Sequence, residues 1–550
     1  MIKTKIFADI VACLKKLDLK YNDNFTVEIP NVKEHGDFST NAALINAKLN
    51  NLKPHDLALK IKEIMQKGKN YKSIDIAGPG FINFKMANSV FHRNLIQIVN
   101  DKNNYGSSNY GKRQKILLEF ISANPTGPLN VVSARAGAYG DSLARIMNYI
   151  GFDAFKEFYV NDAGNQVDIL GESMELRYRE LHGERLDEFP EEAYHGEYIK
   201  DLAAQLSVID GSKLFHIAEK DRLERMQNFA LEAIHNMQVI SLNGFDVQFD
   251  NWMSEKKLRA EGMLEEALSY LAEANCTYEK DDAVWFCSSQ FGDEKDRVLI
   301  KTDGNPTYLV PDIAYHLTKY QRGFDVLIDV LGPDHHGHVS KLKAAMLALE
   351  MDISKLEVVY LQHINLIQDG EAVKMSKRAG KIVTLDDLID EVGKDAARYF
   401  FVNRKPNAHL DFDLKLAKKK SSENPVYYCQ YAHARIASIL KKAKKEKITL
   451  KDFNTKNLKR LDKEIELSII KKMLELPTIL NACADHREPH RLAVYVHELA
   501  GLFHRYYGKY TIVDAKHKEL SQSRLYLISA IMNVLAITLN LLGISAPEKM

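Results

Sequence analysis

Apolar positions along the chain fall into three regimes. Up to about residue 107, helical spacing (Leu57, Ile61 and Ile64 within Asp56 to Met65) alternates with a short strand pattern over Phe81 to Met86. Gly78-Pro79-Gly80 marks a turn just before that strand. From Lys115 the apolar runs become continuous and strand-length: KILLEFI, then VLIDVLG (326–332) and LEVVYL (356–361). Such runs are buried on both faces and predict a parallel sheet, with helices such as Asp141 to Ile150 between the strands. Residues 172 to 280 are helix-rich and acidic, and predict an insertion into the sheet domain. After Asn424 the spacing is helical throughout, and periodic segments at 427–445, 461–482, 491–508 and 520–542 predict an all-α bundle. The domains expected are therefore 1–107, 108–424 and 425–550.

Two segments invite a membrane reading. The N-terminal MIKTKIFADIVACLKKLDL carries Lys3, Lys5 and Asp9 among its apolar residues, so it reads as an amphipathic helix and not as a signal peptide. Leu527 to Ala546 is the most apolar stretch, but Ser529, Asn533, Thr538 and Asn540 interrupt it. A buried helix of a soluble bundle is expected there, and no membrane.

Composition adds little until charge is read locally. A length of 550 residues, with 45% apolar and 27% charged side chains, suits a soluble multidomain protein. A net charge of +1 excludes a histone-like or acidic-tail protein. Five scattered cysteines without a C-x-x-C pair argue against a disulfide framework or a cysteine zinc knuckle, and fit a reducing cytosol. Between Lys405 and Arg460, however, 15 Lys/Arg stand against 5 Asp/Glu. KKAKKEK (441–447) alone would read as a solvated helix face. A basic segment this long, opening a helical domain, suits a phosphate-rich partner such as nucleic acid.

Three constellations carry candidate chemistry. Glu119 to Arg135 (EFISANPTGPLNVVSAR) follows a buried strand and leads into a helix expected to begin near Ala134 to Ala136. A strand, a Pro/Gly turn and a helix N-terminus can cradle a phosphate, although many such turns hold Gly and Pro for geometry alone. Val373 to Gly380 (VKMSKRAG) places two lysines and a serine where they can surround a polyphosphate, and Thr384 with Asp387 reads as the next helix's cap. Tyr308 to Asp312 (YLVPD) and Gly332 to His338 (GPDHHGH) form the third. Adjacent His335 and His336 cannot both face one ion from a regular strand, so hydrogen-bonding roles at the strand ends are expected and no metal site in the protein. The chain has no G-x-x-x-x-G-K-[ST] phosphate loop and no G-x-S-x-G nucleophile elbow.

In this order, the turn, insertion, KMSK loop and helical C-terminal part resemble a class I aminoacyl-tRNA synthetase. The wording resembles the arginyl-tRNA synthetase family of bacterial type. SANPTGPL, YVNDAGNQ (159–166), FGDEKDRVL, DIAYHL (312–317), KMSKRAG, ENPVYYCQYAHARI (423–436) and LLGISAPEKM carry that likeness. EHGDFSTNAAL (34–44) and AGPGFINF (77–84) resemble the family's extra tRNA-contacting domain.

The resemblance implies a multidomain α/β fold: a Rossmann-type parallel-sheet catalytic domain, an α+β N-terminal domain and an all-α anticodon-binding bundle. It implies activation of L-arginine with ATP to arginyl-adenylate, release of pyrophosphate, and transfer to the 3′ end of tRNA(Arg). Mg²⁺ is expected with ATP, held by phosphates and water and not by a protein cage. By the same likeness Lys374, Ser376 and Lys377 stabilise the leaving pyrophosphate, together with Asn130 and Ser133. Pro125, Gly127, Pro128, Asp334, His335 and Met375 complete the nucleotide side. Glu119, Ser122, Asn124, Tyr308, Asp312 and, less strongly, Glu255 hold arginine, the carboxylates pairing with its cationic groups. Glu119 is a carboxylate in an apolar strand, costly without a partner, which favours a functional role over a structural pairing with a lysine. Tyr427, Tyr428, Tyr431, His433 and Arg435 face tRNA, by stacking and by charge. A cytoplasmic monomer is expected.

One departure stands out. Where the family shows H-x-G-H, this chain has Asn130-Val131-Val132-Ser133. Loss of one active-site donor costs about 2.7–4 kcal/mol of transition-state stabilisation if nothing compensates. A tRNA-binding paralogue without ligase activity, or a class I synthetase for another amino acid, are the alternatives. Retention of Lys374, Lys377, Asp312, Tyr308, Glu119 and Asn124 favours an active enzyme, and the acidic Asp312 and Glu255 favour a cationic substrate.

Overall fold

The computed structural model describes residues 2–30, 32–185, 189–372, 383–450 and 455–550. At the N-terminus, helix Ile2–Lys16 buries Ile2, Ile6, Ile10, Cys13 and Leu14, one face of a 3.6-residue period. It packs beside helix Pro54–Met65 and a four-stranded antiparallel sheet in the order Val27–Glu28, Phe38–Thr40, Phe81–Met86, Tyr71–Ala77. Helix Asn88–Asp101 then carries the chain across to the C-terminal bundle. There the imidazole Nε2 of His92 lies 3.0 Å from the Leu461 carbonyl, and the Tyr105 hydroxyl donates to Met473 O at 3.1 Å.

The central sheet has five parallel strands in the spatial order Leu356–Tyr360, Val326–Leu331, Lys115–Glu119, Asp153–Val160, Asn251–Ser254. All three expected strand runs are present. From the Lys115 strand the chain winds outward one way, then returns to lay the Val326 and Leu356 strands on the other side. The reversal lies between the Lys115 and Val326 strands, where Glu119 pairs in register with Asp329. Open α/β sheets bind their ligands at the carboxyl ends of the strands at such a switch point.

The crossovers cover both faces. Helix Val131–Tyr149 joins the first two strands, helices Asn165–Leu181, Glu197–Asp210 and Glu219–Gly244 form the insertion, and Leu309–Gln321 and His336–Ala348 flank the Val326 strand. The insertion begins earlier than expected and is not helical to residue 280. A small antiparallel sheet, Thr277–Lys280, Ala283–Phe286 and Arg297–Ile300, closes that region. Beyond the Leu356 strand a further strand, Ile364–Gln368, intervenes before the lysine loop and pairs with Leu410–Asp413.

Helices Pro425–Lys445, Glu464–Leu474, Leu476–Asp485, His490–Lys509 and Lys518–Leu541 form the bundle. The segment expected as one helix over 461–482 is two, because Pro477 opens a new helix after Glu475. The last helix is long and apolar enough to cross a membrane, but 72% of its most apolar window is buried inside the protein.

Helix Val131–Tyr149 is buried nearly all round, and its polar residues are fastened to other elements. The Arg135 guanidinium donates to the carbonyls of Gln362, Lys405 and Ala408. The Tyr139 hydroxyl donates to Arg487 O in the bundle. Asp141 receives Arg398 at 2.7 Å, Arg145 at 2.6 Å and Lys156 at 3.1 Å. Arg398 also donates to Leu542 O at 2.9 Å and to Phe245 O at 3.0 Å, so one ion cluster ties helix, insertion and bundle together.

Burial opposes ionisation of Asp141, yet Arg398, Arg145 and Lys156 outweigh it and hold the carboxyl below its ordinary value of 3.8. Its folded value being the lower one, this contribution to stability is complete above that ordinary value and drains away as pH falls below it. Asp141→Ala leaves Arg398 buried without a carboxylate and is expected to cost about 3–5 kcal/mol. Thermal unfolding at neutral pH reads this as a lowered midpoint; an unchanged midpoint would mean that the carbonyl partners suffice.

Candidate active site

Helix Leu309–Gln321 presents Asp312, Tyr315, His316 and Lys319, spaced i, i+3, i+4 and i+7, toward the carboxyl ends of the sheet. Lys319 is wholly buried, with its ammonium 2.5 Å from Glu119 Oε2 and 2.7 Å from Asp329 Oδ1. The Nε2 of His316 lies 2.8 Å from Asp329 Oδ2. Burial works against the charged lysine, but Asp329 and Glu119 more than offset it and raise its pKa. Glu119 therefore has the structural partner that a buried strand carboxylate requires, and its cost no longer argues for a substrate role. Glu119, His316 and Asp329 have ligand atoms within 4.8 Å of one another, the spacing of a metal site. The place a cation would take among them is held by the Lys319 ammonium.

The turn after Glu119 is strained. Ile121 and Ser122 have φ of 71° and 41°, the left-handed region that a β-branched residue rarely enters. Several bonds hold it there: the Ser122 hydroxyl donates to Glu119 Oε1 at 2.7 Å and accepts from the Tyr159 N–H at 3.2 Å. The insertion grips the turn from outside. The Tyr198 hydroxyl donates to Thr126 O at 2.6 Å, the Gln238 amide donates to Gly127 O at 2.9 Å, and Asn124 donates to Gln166 at 2.6 Å. Pro125 is buried, while Gly127 and Pro128 are half-buried. Gly140 lets the following helix lie against this turn, since a Cβ there would sit 2.4 Å from the Phe120 ring.

Helix Val131–Tyr149 starts several residues earlier than the sequence pattern suggests, because Asn130 is its N-cap. Asn130 Oδ1 accepts from the N–H groups of Val132 at 3.0 Å and Ser133 at 3.1 Å. Two of the N–H groups that a helix N-terminus offers an anion are thus already engaged. Ser133 is nearly buried, and Val132 is 53% exposed at the mouth of the turn. Thr384 bridges to Asn130, and Leu385 N donates to Leu129 O at 2.8 Å. The capping box expected of Thr384 and Asp387 is formed. The chain that follows the lysine loop is thereby fastened to the helix start. Lys374, Met375, Ser376 and Lys377 lie outside the described residues.

On the other side of the crevice, Tyr308 stands 70% exposed, one turn before Asp312. Asp312 Oδ2 is 2.6 Å from Nε2 of His338. Glu255 is buried and fully engaged: Arg259 donates to Oε1 at 2.6 Å and the Tyr159 hydroxyl to Oε2 at 3.0 Å. Burial, Glu255 and Asp312 together push the Tyr159 hydroxyl far up. Glu255 is therefore a weaker candidate for substrate than Asp312. Asp334 and His335 occupy an exposed turn at the end of the Val326 strand, while His336 stacks on Tyr360 with ring centroids 3.6 Å apart.

On the bundle, Tyr427, Tyr431 and Arg435 form one stripe of helix Pro425–Lys445. Tyr427 and Tyr431 stack at 6.1 Å, and the Arg435 guanidinium lies over both Tyr431 at 5.1 Å and Tyr507 at 5.2 Å. Tyr428 packs at 4.4 Å on His504. His433 is not part of that stripe. It is buried, with Nδ1 2.8 Å from the Pro547 carbonyl, and so anchors the C-terminal segment. Sequence reasoning missed Lys319, His316 and Asp329, and it expected a hydrogen-bonding role in the segment of His338 without naming the partner. The signal for the first three was present: two carboxylates inside adjacent apolar strands, and a polar stripe on an apolar helix.

Comparison with known proteins bears on all three parts of the chain. Residues 4–86 match the model of the arginyl tRNA synthetase N-terminal domain. Residues 94–438 match the catalytic domain of class I (R) tRNA synthetases, and 429–550 the DALR anticodon binding domain. An arginine--tRNA ligase of Carboxydothermus hydrogenoformans is 44% identical over 534 residues, covering 97% of this chain and 96% of that protein. One from Shouchella clausii is 44% identical, covering 95% of this chain and 94% of its own. The solved arginyl-tRNA synthetase of Thermus thermophilus shares the fold with a TM-score of 0.72 at 21% identity, over the full length of both chains.

Lys319→Met removes the ammonium between two buried carboxylates and is expected to destabilise the protein by about 3–5 kcal/mol. Adding Glu119→Gln should recover part of the loss in a thermal melt. Equal melting of the single and double variants would show that Glu119 does not depend on Lys319.

Proposed function

The chain belongs to the arginyl-tRNA synthetase family, and from that premise we propose which of its residues carry the reaction. The protein activates L-arginine with ATP, giving arginyl-adenylate and pyrophosphate, and passes the arginyl group to the 3′ end of tRNA(Arg). The observation that best supports the residue assignment is a convergence at the switch point. A turn and helix start suited to an anion face, across the ends of the two middle strands, a helix that presents the carboxylate of Asp312. No protein nucleophile is called for; the work is positioning and stabilisation of charge.

On this reading the nucleotide lies along Pro125, Gly127, Pro128, Asn130 and Ser133, with Asp334 and His335 on the neighbouring strand end. Lys374, Ser376 and Lys377, with Met375 between them, close over its phosphates. Mg²⁺ arrives with those phosphates, in keeping with a buried acidic cluster already neutralised by Lys319. Asp312 and Tyr308 receive the guanidinium, and Ser122, Asn124 and Glu119 line the route to the reacting carboxylate. Glu255 supports Tyr159 instead of touching arginine. Tyr427, Tyr431 and Arg435 stack on tRNA bases while the lysines after residue 440 follow phosphates. Residues 1–107 are the tRNA-contacting domain, 108–424 the catalytic domain and 425–550 the anticodon-binding bundle, in a cytoplasmic monomer without membrane attachment.

The first test is charging of bulk tRNA with each labelled amino acid in the presence of ATP and Mg²⁺. Charging by arginine alone is expected; tRNA binding without adenylate formation would overturn the reading. In Lys374→Ala, adenylate formation should be abolished while tRNA binding persists. Asp312→Asn should raise KM for arginine far more than KM for ATP, and equal losses of both would remove the guanidinium assignment.

A further inference from the structure

The third histidine of the Gly332 to His338 segment has no role in the assignment above, yet it makes a close contact in the crevice. His338 stands in the first turn of helix His336–Ala348, its side chain only 18% exposed, with Nε2 2.6 Å from Asp312 Oδ2. Its ring lies 5.8 Å from that of Tyr308 and 6.5 Å from that of His335. It thus joins the helix that carries the guanidinium candidate to the turn on the nucleotide side. Asp312 is held at its backbone as well, since its carbonyl lies 2.8 Å from Nδ1 of His316.

A carboxylate that can rotate serves any cation. A lysine ammonium is a compact point charge and needs no particular carboxylate plane, whereas a guanidinium is a rigid planar fork that does. An imidazole N–H donated to Oδ2 fixes the plane of Asp312 and leaves Oδ1 as the oxygen turned to an incoming ligand. We propose that His338 is a positioning and specificity-determining residue of the arginine site: it orients the Asp312 carboxylate for a guanidinium and so separates arginine from lysine and ornithine. The inference rests on the assignment of Asp312 to the guanidinium.

The test is arginine-dependent ATP–pyrophosphate exchange, with tRNA present, for wild type, His338→Ala, His338→Gln, Asp312→Asn and the His338→Ala/Asp312→Asn double variant. Loss of a hydrogen bond to a charged group predicts that His338→Ala raises KM for arginine roughly 10- to 100-fold. KM for ATP should not move, and discrimination against lysine should fall. His338→Gln keeps an N–H donor of similar reach and should restore most of the affinity, which a general folding defect would not allow. In the Asp312→Asn background His338→Ala should add little. Parallel rises in both KM values, failure of His338→Gln to rescue, or an undiminished His338→Ala effect in the Asp312→Asn background would overturn the proposal while leaving the Asp312 assignment standing. An arginine KM unchanged in Asp312→Asn would remove that assignment, and the role of His338 with it.

Discussion

One ammonium group without access to water governs the geometry of the crevice. Glu119 and Asp329 are register partners on neighbouring parallel strands, so their carboxylates meet inside the protein where mutual repulsion is least screened. Lys319 between them makes that pairing tolerable. Because Lys319 belongs to helix Leu309–Gln321, its anchoring also fixes the rotation of that helix about its axis. With Lys319 and His316 turned inward, Asp312 on the same face is delivered two turns nearer the helix start, at the ends of the strands. The carboxylate proposed for the guanidinium thus inherits its position from a buried ion cluster.

The turn after Glu119 is built on the opposite logic. It holds Ile121 and Ser122 in a backbone region that costs roughly 1–3 kcal/mol per residue, and such strain persists only where the surroundings over-determine it. Three elements do so here: the strand end through Glu119, the next strand through the Tyr159 N–H, and the insertion through Tyr198 and Gln238. The helix that follows is equally constrained along its length by Arg135, Tyr139 and Asp141. Arg487 lies in the bundle and Arg398 and Lys405 in the segment leading to it, so this helix and the proposed tRNA-binding stripe belong to one packed body.

Much of this organisation was legible in the residues themselves. Strand-length apolar runs located three strands of the parallel sheet, because strands buried on both faces are apolar at nearly every position, with Glu119 and Asp329 as exceptions. The helices of the bundle and the Thr384–Asp387 capping box followed from local chemistry in the same way. What escaped was either nonlocal or disguised. Glu119 was correctly read as costly without a partner, but that partner lies 200 residues away on a helix whose polar face was not recognised. The Val131 helix starts before the apolar pattern shows it, because Asn130 acts as a cap and the two β-branched valines after it are poor helix formers. The strands of the small sheet at 277–300 are four residues long and carry charged or exposed positions, so their alternation is too brief to register. His433 sits among tyrosines and an arginine that read as a tRNA-facing stripe, and only the path of the C-terminal segment shows that it is an internal anchor.

Asn130 also bears on how the Asn-Val-Val-Ser sequence is accommodated. As a cap it stabilises the helix start by about 1 kcal/mol, but it does so by accepting the N–H groups of Val132 and Ser133, which a bound phosphate would otherwise compete for. Neutral backbone donors are therefore scarcer in this cradle than the helix alone would supply. The same residue bridges Thr384, so the chain that follows the lysine loop is fixed to the helix start. Charge-assisted hydrogen bonds are roughly twice as strong as neutral ones. On the proposed assignment, more of the stabilisation of phosphate charge falls to the ammonium groups of Lys374 and Lys377 than to helix dipoles and histidine donors. The consequence is a site whose nucleotide side depends more heavily on the placement of one loop, and whose amino-acid side, fixed through Lys319 and His338, does not.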